Sequence, residues 1–117
     1  MFRVGELTFG IVICYDSTFS EPARAMAAQG ATALFVPTNN GLPTKRAYPG
    51  LVQEARAADY SRVLENRVWM IRADVAGTNG ELMSYGSSAI VGPDGKVIRE
   101  ANLQTADLLV ADLEDPR

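Results

Sequence analysis

The only cysteine of the sequence, Cys14, lies where an apolar run gives way to polar residues. Residues 9–13 have the composition of a buried β-strand, and residues 15–18 form a polar turn ahead of a predicted helix. The start of a helix offers free backbone N–H groups and a partial positive charge, which favour a thiolate and a developing oxyanion. A free cysteine is more often a small buried hydrophobe. Its position here favours a nucleophile instead.

Two asparagines are candidates for binding a substrate beside Cys14. Asn39 and Asn40 follow a second predicted strand, residues 31–36, which stops at Pro37. Ligand sites of parallel sheets lie beyond the carboxyl ends of the strands, which is where Cys14 and both asparagines are expected. Asparagines after a proline are equally well explained as turn formers. Both interpretations stay open.

Four further residues are candidates for contacting and positioning the residues of the site without touching a substrate. Asp16 and Arg24 could form an ion pair that braces the turn after Cys14, although the sequence favours a solvated surface pair over this brace. Glu65 and Asn66 precede a predicted strand, and a helix C-terminus alone accounts for an asparagine there.

The remaining pattern predicts an α/β (α+β) fold with a mixed sheet, about seven strands and two helices. A hairpin is expected around Gly5-Glu6, and a strand–helix–strand unit follows it. The predicted helices cover residues 23–29, with Ser20 as N-cap, and residues 51–67. Later strands are expected at residues 68–75, 87–91, 96–99 and 108–113, with a loop at 77–80 and a tight turn at 93–95. Two helices are too few to cover both faces of such a sheet.

Composition limits the classes of function. With 117 residues and 47% hydrophobic content, the chain suits one domain. A net charge of −3 and scattered basic residues argue against nucleic acid, and no apolar run reaches the length of about 20 residues that crosses a bilayer. One cysteine and no histidine exclude Ser-His-Asp and Cys-His catalysis and the common zinc ligand sets. We expect a cytoplasmic protein without metal or cofactor.

Three segments in order resemble the carbon–nitrogen hydrolase (nitrilase) superfamily. They are Gly10-Ile-Val-Ile-Cys14-Tyr15-Asp16-Ser-Thr-Phe19-Ser20-Glu21, then Arg62-Val-Leu-Glu65-Asn66, then Tyr85-Gly86-Ser87-Ser88-Ala-Ile90-Val-Gly-Pro93-Asp94-Gly95. The resemblance implies a four-layer α-β-β-α sandwich. It also implies that Cys14 attacks a small amide or nitrile to form a thioester or thioimidate, which water resolves. The backbone N–H of Tyr15 would then stabilise the oxyanion.

The same resemblance implies a glutamate base, a lysine and a second glutamate upstream of the cysteine. Thirteen residues precede Cys14, Glu6 is their only carboxylate, and the first lysine is Lys45, which a flexible loop is expected to carry. We therefore expect residues 1–117 to be the C-terminal portion of a single domain whose N-terminal half is absent. By itself the chain is expected to be inactive, because an unactivated thiol is only a few per cent thiolate at neutral pH.

Two alternatives to hydrolysis stay open. One is a non-catalytic binding or assembly module that keeps the fold, and the other is N-acyl transfer through the same cysteine. A half-sandwich would expose an apolar sheet face, so we also expect a homodimer or a higher oligomer.

Overall fold

The computed structural model describes residues 1–48 and 50–114, which form nine strands and two α-helices. In chain order the strands are Phe2–Val4 (β1), Leu7–Ile11 (β2), Ala33–Thr38 (β3), Leu42–Pro43 (β4), Trp69–Asp74 (β5), Ala76–Asn79 (β6), Leu82–Tyr85 (β7), Ala89–Val91 (β8) and Val97–Glu100 (β9). The helices are Ser20–Ala28 (α1) and Gly50–Asn66 (α2), and a 3₁₀ helix, here called the cysteine turn, covers Cys14–Thr18.

Six strands form one mixed sheet in the order β1-β2-β3-β5-β8-β9. The inner strands β2, β3 and β5 run parallel, and the outer pairs are antiparallel. Strands β4, β7 and β6 make a small antiparallel sheet. The predicted α/β class with a mixed sheet is confirmed.

Helices α1 and α2 cover one face of the large sheet. The buried residues between them are apolar, as follows: Val12, Ala23, Ala31, Leu34, Val36, Val63, Val68, Met70, Ala89 and Val91. Gly10 lets α1 approach β2 closely, because a Cβ there would overlap the Met26 side chain. Each large side chain buried in this layer stabilises the fold by about 1.5–3 kcal/mol.

The opposite face of the large sheet has no helix over it in the described part of the chain. Its centre is Ala33, Trp69 and Ile90, and its partly buried neighbours are Leu7, Phe9, Ile71, Ile98, Leu109, Ala111 and Leu113. The Phe9 ring contacts Phe2 and Phe35, with ring centroids 5.4 and 5.1 Å apart. We call this surface the open face.

Several predicted elements are confirmed to within a few residues. The β1–β2 hairpin turns at Gly5, whose φ of 57° suits the first position of the predicted tight turn. Helix α2 lies within a residue of its prediction, and Arg67 closes it with a φ of 55°. The turn at residues 93–95 is closed by the Gly95 N–H, which donates to Gly92 O at 2.9 Å.

Two predictions about element ends are wrong. The strand before Cys14 stops at Ile11, and Cys14 begins the cysteine turn. Strand β3 does not stop at Pro37, which pairs with Ala73 of β5. Phe35 O accepts the Val12 N–H from the β2 side at 2.9 Å, and two residues later the backbone of Pro37 faces the same side beyond the end of β2. Its missing N–H therefore removes no ladder bond.

The predicted N-cap of α1 is also wrong. Ser20 is the first helical residue, and Phe19 occupies the N-cap position without a side-chain hydrogen bond. The Phe19 ring packs edge to face on Tyr15 at 5.1 Å, which fixes the entry to the helix by an aromatic contact.

Two predicted segments have a different structure. Residues 77–80 were expected to form a loop, but β6 and β7 pair there, with Thr78 opposite Met83. Residues 108–113 were expected to form a strand, yet no strand is found between 101 and 114. Leu109, Ala111 and Leu113 do alternate between exposed neighbours and pack on the open face. Their side-chain period is that of a strand, but their backbone has no ladder partner. Across the described helices, none combines the length and the apolar character needed to cross a membrane.

Candidate active site

The cysteine turn carries Cys14 beyond the carboxyl end of β2. The Val12 N–H still donates to β3, after which the Asp16 N–H donates to Ile13 O at 3.0 Å and bends the chain away. Cys14 Sγ lies 3.8 Å from Asn40 Oδ1 and 3.9 Å from Asn39 O, both at the end of β3. The expected meeting of the two strand ends is therefore present.

Cys14 has a φ of 49°, in the left-handed region that residues with a Cβ adopt rarely. The conformation costs about 1–2 kcal/mol for an L-residue. Such strain persists only where surrounding contacts hold the backbone, and it is concentrated at functional sites.

Ser17 holds the Cys14 backbone through a hydrogen bond to its carbonyl oxygen. Its Oγ donates to Cys14 O at 2.7 Å and accepts from Arg72 Nη2 at 3.0 Å, and its side chain is buried. The carbonyl of the strained residue is thereby connected to a side chain of the central strand β5.

Arg72 is the centre of a buried polar network. Its Nη2 donates to Asp59 Oδ1 at 2.6 Å, its Nε to Asp59 Oδ2 at 3.1 Å, and its Nη1 to Thr38 Oγ1 at 2.8 Å. Asp59 is fully buried and Arg72 is 4% exposed. A buried pair of this kind is tolerated because both groups keep their hydrogen bonds.

A second arginine connects α2 to the cysteine turn. Arg62 Nη1 donates to Thr18 O at 3.0 Å, Glu65 accepts from Arg62 Nη2 at 3.0 Å, and Asn66 Nδ2 donates to Arg62 O at 3.0 Å. Through these hydrogen bonds, Glu65 and Asn66 are connected to the turn by way of Arg62.

Asp74 positions the loop of residues 39–41 between β3 and β4, here called the asparagine loop. It accepts from the Asn40 N–H at 3.3 Å and from the backbone and hydroxyl of Ser87, both at 2.7 Å. The end of β5 therefore joins the loop after β3 to the loop before β8, which keeps the Asn40 side chain next to Cys14.

A cavity of about 220 Å³ opens beside Cys14. Its lining residues come from the cysteine turn, the asparagine loop, α2 and β5, and they are Cys14, Tyr15, Ser17, Thr18, Asn40, Leu51, Glu54, Ala55, Ala58 and Arg72. The α2 residues recur at helical spacing and so share one helix face.

Glu54, in this cavity wall, accepts a hydrogen bond of 2.6 Å from the Tyr48 hydroxyl. That bond raises the pKa of Tyr48, with further contributions from burial and from the charge of Glu54. Because the protonated phenol is the donor, the bond is fully present below the ordinary pKa of about 10 and is lost as pH rises through the raised value.

The sequence-based candidates divide into those near the cavity and those outside it. Cys14, Tyr15 and Asn40 line the cavity. Asn39 contributes only its backbone carbonyl, because its side chain accepts from the Gly41 N–H and the Ser84 hydroxyl instead. Asp16 and Arg24 are both exposed, and no ion pair joins them among the described residues, so neither the possible brace nor the favoured surface pair is formed.

Neither Glu6, the only carboxylate before Cys14, nor Lys45, the first lysine of the sequence, lies at the cavity. Lys45 is exposed in the turn after β4 and does not line it. Glu6 lies before the start of β2, at the opposite end of that strand from Cys14. Within the described part of the chain, no three acidic, cysteine or histidine side chains form a group that could hold a metal ion.

Sequence reasoning missed Ser17, Asp59, Arg72 and Glu54. One signal was present, since Arg72 interrupts the apolar run of a central strand and a charge there needs a buried partner. Asp59, one residue among many charges on α2, carried no comparable signal.

Comparison with known proteins agrees with this architecture. The family model described as carbon-nitrogen hydrolase matches residues 1–116. The chain belongs to the carbon–nitrogen hydrolase family. It is 31% identical to an N-carbamoylputrescine amidase from Oryza sativa subsp. japonica, over 97% of this chain and 40% of the relative. It is 35% identical to a probable nitrilase from Schizosaccharomyces pombe, over 99% of this chain and 42% of the relative.

Solved structures of family members have the same fold. The NitN amidase from Nesterenkonia sp. AN1 matches with a TM-score of 0.82 and 31% identity, over 97% of this chain and 42% of that one. A mutant of that amidase, showing Michael addition of acrylamide at its active site cysteine, matches with a TM-score of 0.75 and 28% identity, over 88% and 38%. This carbon–nitrogen hydrolase chain spans about two fifths of the length of these relatives.

Proposed function

We propose that Cys14 is the nucleophile of an enzyme that hydrolyses a non-peptide carbon–nitrogen bond in a small amide or nitrile. The observation that carries the proposal is the conformation of Cys14, strained and held by the buried Ser17–Arg72–Asp59 network, with the cysteine turn lining a cavity of about 220 Å³. Strain maintained at such cost is expected where a reactive group must be aimed.

The proposed reaction on an amide proceeds through a thioester. The Cys14 thiolate forms a C–S bond to the carbonyl carbon, and the carbonyl electrons move to oxygen. The Tyr15 N–H would hold this oxyanion, since the next amide, Asp16 N–H, already donates to Ile13 O. The intermediate collapses, the C–N bond breaks, and the amine leaves with the proton that the thiol gave up on becoming a thiolate. Water then hydrolyses the thioester to a carboxylic acid and restores the thiol.

We further propose that the active enzyme is longer than this chain and that the chain alone is inactive. The matched relatives are more than twice as long, and neither Glu6 nor Lys45 lies at the cavity. The base and the lysine that the family resemblance implies would come from an upstream segment. That segment would supply the second sheet of the sandwich.

Turnover by the longer protein tests this proposal. Ammonia release is measured with linear amides, N-carbamoyl amines and nitriles, compounds that the names of the relatives suggest. Changing Cys14→Ala is expected to lower hydrolysis by about 10⁴-fold or more, to background. Mass spectrometry of wild-type protein mixed with substrate should detect an acyl group on Cys14. Glu81→Gln, in the exposed β6–β7 turn, serves as the control.

Hydrolysis that survives Cys14→Ala would contradict the assignment. A folded longer protein that hydrolyses none of these compounds would instead favour the non-catalytic module. Acyl transfer to an added amine in place of water would favour the acyltransferase alternative.

A further inference from the structure

Two charged side chains line the Cys14 cavity, and only one of them is neutralised. Arg72 is paired with the buried Asp59 through contacts of 2.6 and 3.1 Å. This pair has no net charge, so it contributes little to the field that a substrate experiences. Glu54 is the other charged residue of the lining.

Glu54 has no cationic partner in residues 1–48 and 50–114. The ion pairs there join Arg56 to Asp59 and Glu100, Arg62 to Glu65, and Arg72 to Asp59. The hydrogen bond to Glu54 comes from the neutral Tyr48 hydroxyl and uses Oε1. The negative charge of Glu54 is therefore the uncompensated charge of the cavity wall.

The position of Glu54 is set by Tyr48 and Gly50. The Tyr48 ring occupies the space beside the start of α2, where a Cβ on Gly50 would lie 2.7 Å from ring atom Cε2. Glycine at position 50 therefore lets the ring lie close enough for its hydroxyl to reach Glu54. This packing restricts the carboxylate without neutralising it.

Glu54 is separated along α2 from the part of the helix that contacts Arg72. Asp59 makes that contact, and Ala58, the residue before Asp59, lies four residues after Glu54. Four residues correspond to about 6 Å along a helix. Leu51, Ala55 and Ala58 supply apolar surface on the same helix face. The wall thus combines an apolar stretch with one carboxylate.

We propose that Glu54 is a specificity-determining residue, which selects substrates whose far end carries a cationic group such as an ammonium. This inference rests on the proposed function for its substrate class, but the charge preference itself is a property of the cavity. The carboxylate would attract an ammonium on a short aliphatic spacer, and it would repel an anionic one.

The single cysteine allows a test that needs no turnover. Methanethiosulfonates carrying an aminoethyl, a methyl or a sulfonatoethyl group react with Cys14 to form a mixed disulfide and release methanesulfinate. Their rates are measured on the 117-residue chain at one pH and low ionic strength. For wild type we expect the cationic reagent to react fastest relative to its rate with a free model thiol.

Glu54→Gln is expected to lower the ratio of cationic to neutral rates by about threefold, which is the effect that a unit charge at about 6 Å has in water-like surroundings. The ratio of anionic to neutral rates should rise by a similar factor. Glu81→Gln removes the same charge from an exposed turn and should leave both ratios at the wild-type value.

Added salt should reduce the wild-type preference for the cationic reagent. Tyr48→Phe, which frees the carboxylate to move, should lower the cationic preference in part.

Equal ratios in wild type and Glu54→Gln would overturn the proposal, as would equal changes in Glu54→Gln and Glu81→Gln. Circular dichroism verifies that each variant is folded, and the exposed Glu54 side chain makes the glutamine change a mild one. A charge preference together with a longer protein that hydrolyses no amide would contradict only the proposed function. Cys14-dependent hydrolysis without a charge preference would contradict only the role of Glu54.

Discussion

At the scale of single residues, Ser17 is where the buried network meets Cys14. Removing Arg72 or Asp59 would leave an uncompensated buried charge, which costs about 3–5 kcal/mol and obscures any local effect. Ser17 can be changed while the Arg72–Asp59 contacts of 2.6 and 3.1 Å remain. It is therefore the better residue for measuring what the network contributes to the turn.

Ser17→Ala is expected to lower the free energy of unfolding by about 1–3 kcal/mol, because Cys14 O and an Arg72 N–H lose their buried partner. Thr18→Ala is the matched control. The Thr18 hydroxyl donates to Tyr15 O at 2.7 Å in the same turn, but the residue is exposed, and none of the Arg72 hydrogen bonds among the described residues goes to Thr18. Its loss should cost less than about 1 kcal/mol. Urea denaturation measures both, and equal losses would contradict a special role for Ser17.

The sequence predicts single residues well where one position determines the outcome. Cys14 and Asn40 each follow a strand whose end could be predicted approximately, and they lie together as expected. Asn39 and Asn40 are equivalent in the sequence, but only Asn40 points its side chain at the thiol. The pairing of Asp59 with Arg72 could not be predicted. The two residues lie on a helix and a strand, and the sequence does not indicate which side chains of these two elements will face each other.

At the scale of elements, α2 organises the site. It supplies Glu54 to the cavity, Asp59 to Arg72 and Arg62 to the cysteine turn. Asp59 and Arg62 lie on the same side of this seventeen-residue helix because they are three positions apart, and Glu54 lies more than a turn before them. The ends of α2 are predicted to within one residue from the sequence.

Gly86→Ala provides a test of how the small sheet is joined to the large one. Gly86 has a φ of 72°, and a Cβ there would lie 2.6 Å from the Ala76 Cβ. Left-handed strain and this overlap together are expected to cost about 2–4 kcal/mol of unfolding free energy.

Gly80→Ala is the control for Gly86→Ala, since Gly80 has a φ of 62° with no atom within 4 Å of its would-be Cβ. It should cost only the conformational part, about 1–2 kcal/mol. Thermal or urea unfolding of both variants measures the difference. Equal costs would show that the Ala76 contact gives way freely.

Element prediction fails where local pattern and backbone pairing disagree. Residues 77–80 resemble a loop by composition, and they form strand and turn because β7 and β4 pair beside them. The tail at 108–113 has the alternation of a strand, and its side chains use that alternation on the open face without a neighbouring strand. In both cases the missing information is the position of a partner backbone.

At the scale of the whole molecule, the two faces of the large sheet differ. Helices cover one face. On the open face and at its edge, the side chains of Phe2 and Ile11 are 52% and 39% exposed. The four-layer sandwich and the oligomer stay predictions. The exposed apolar surface of the open face is the physical reason to expect both. Apolar surface of this kind favours association.

We expect the isolated chain to associate with increasing concentration, as measured by sedimentation velocity against its monomer mass of 12.6 kDa. Ile11→Lys, which adds a charge to the open face, should shift the chain toward monomer. Val97→Lys is the control, because Val97 is similarly exposed at 45% but alternates with Ile98, the residue that faces this surface. A chain that stays monomeric throughout and unfolds cooperatively would contradict the expectation.

The left-handed backbone of Cys14 sets stability and chemistry against each other at a single codon. Glycine adopts a φ near 49° without steric cost, and asparagine and aspartate tolerate it better than other L-residues, whereas most other substitutions keep the strain. A variant library sorted for heat resistance alone would therefore enrich glycine at position 14 and discard the thiol. Directed evolution of a longer protein that contains this segment would need a selection for the proposed hydrolysis in every round.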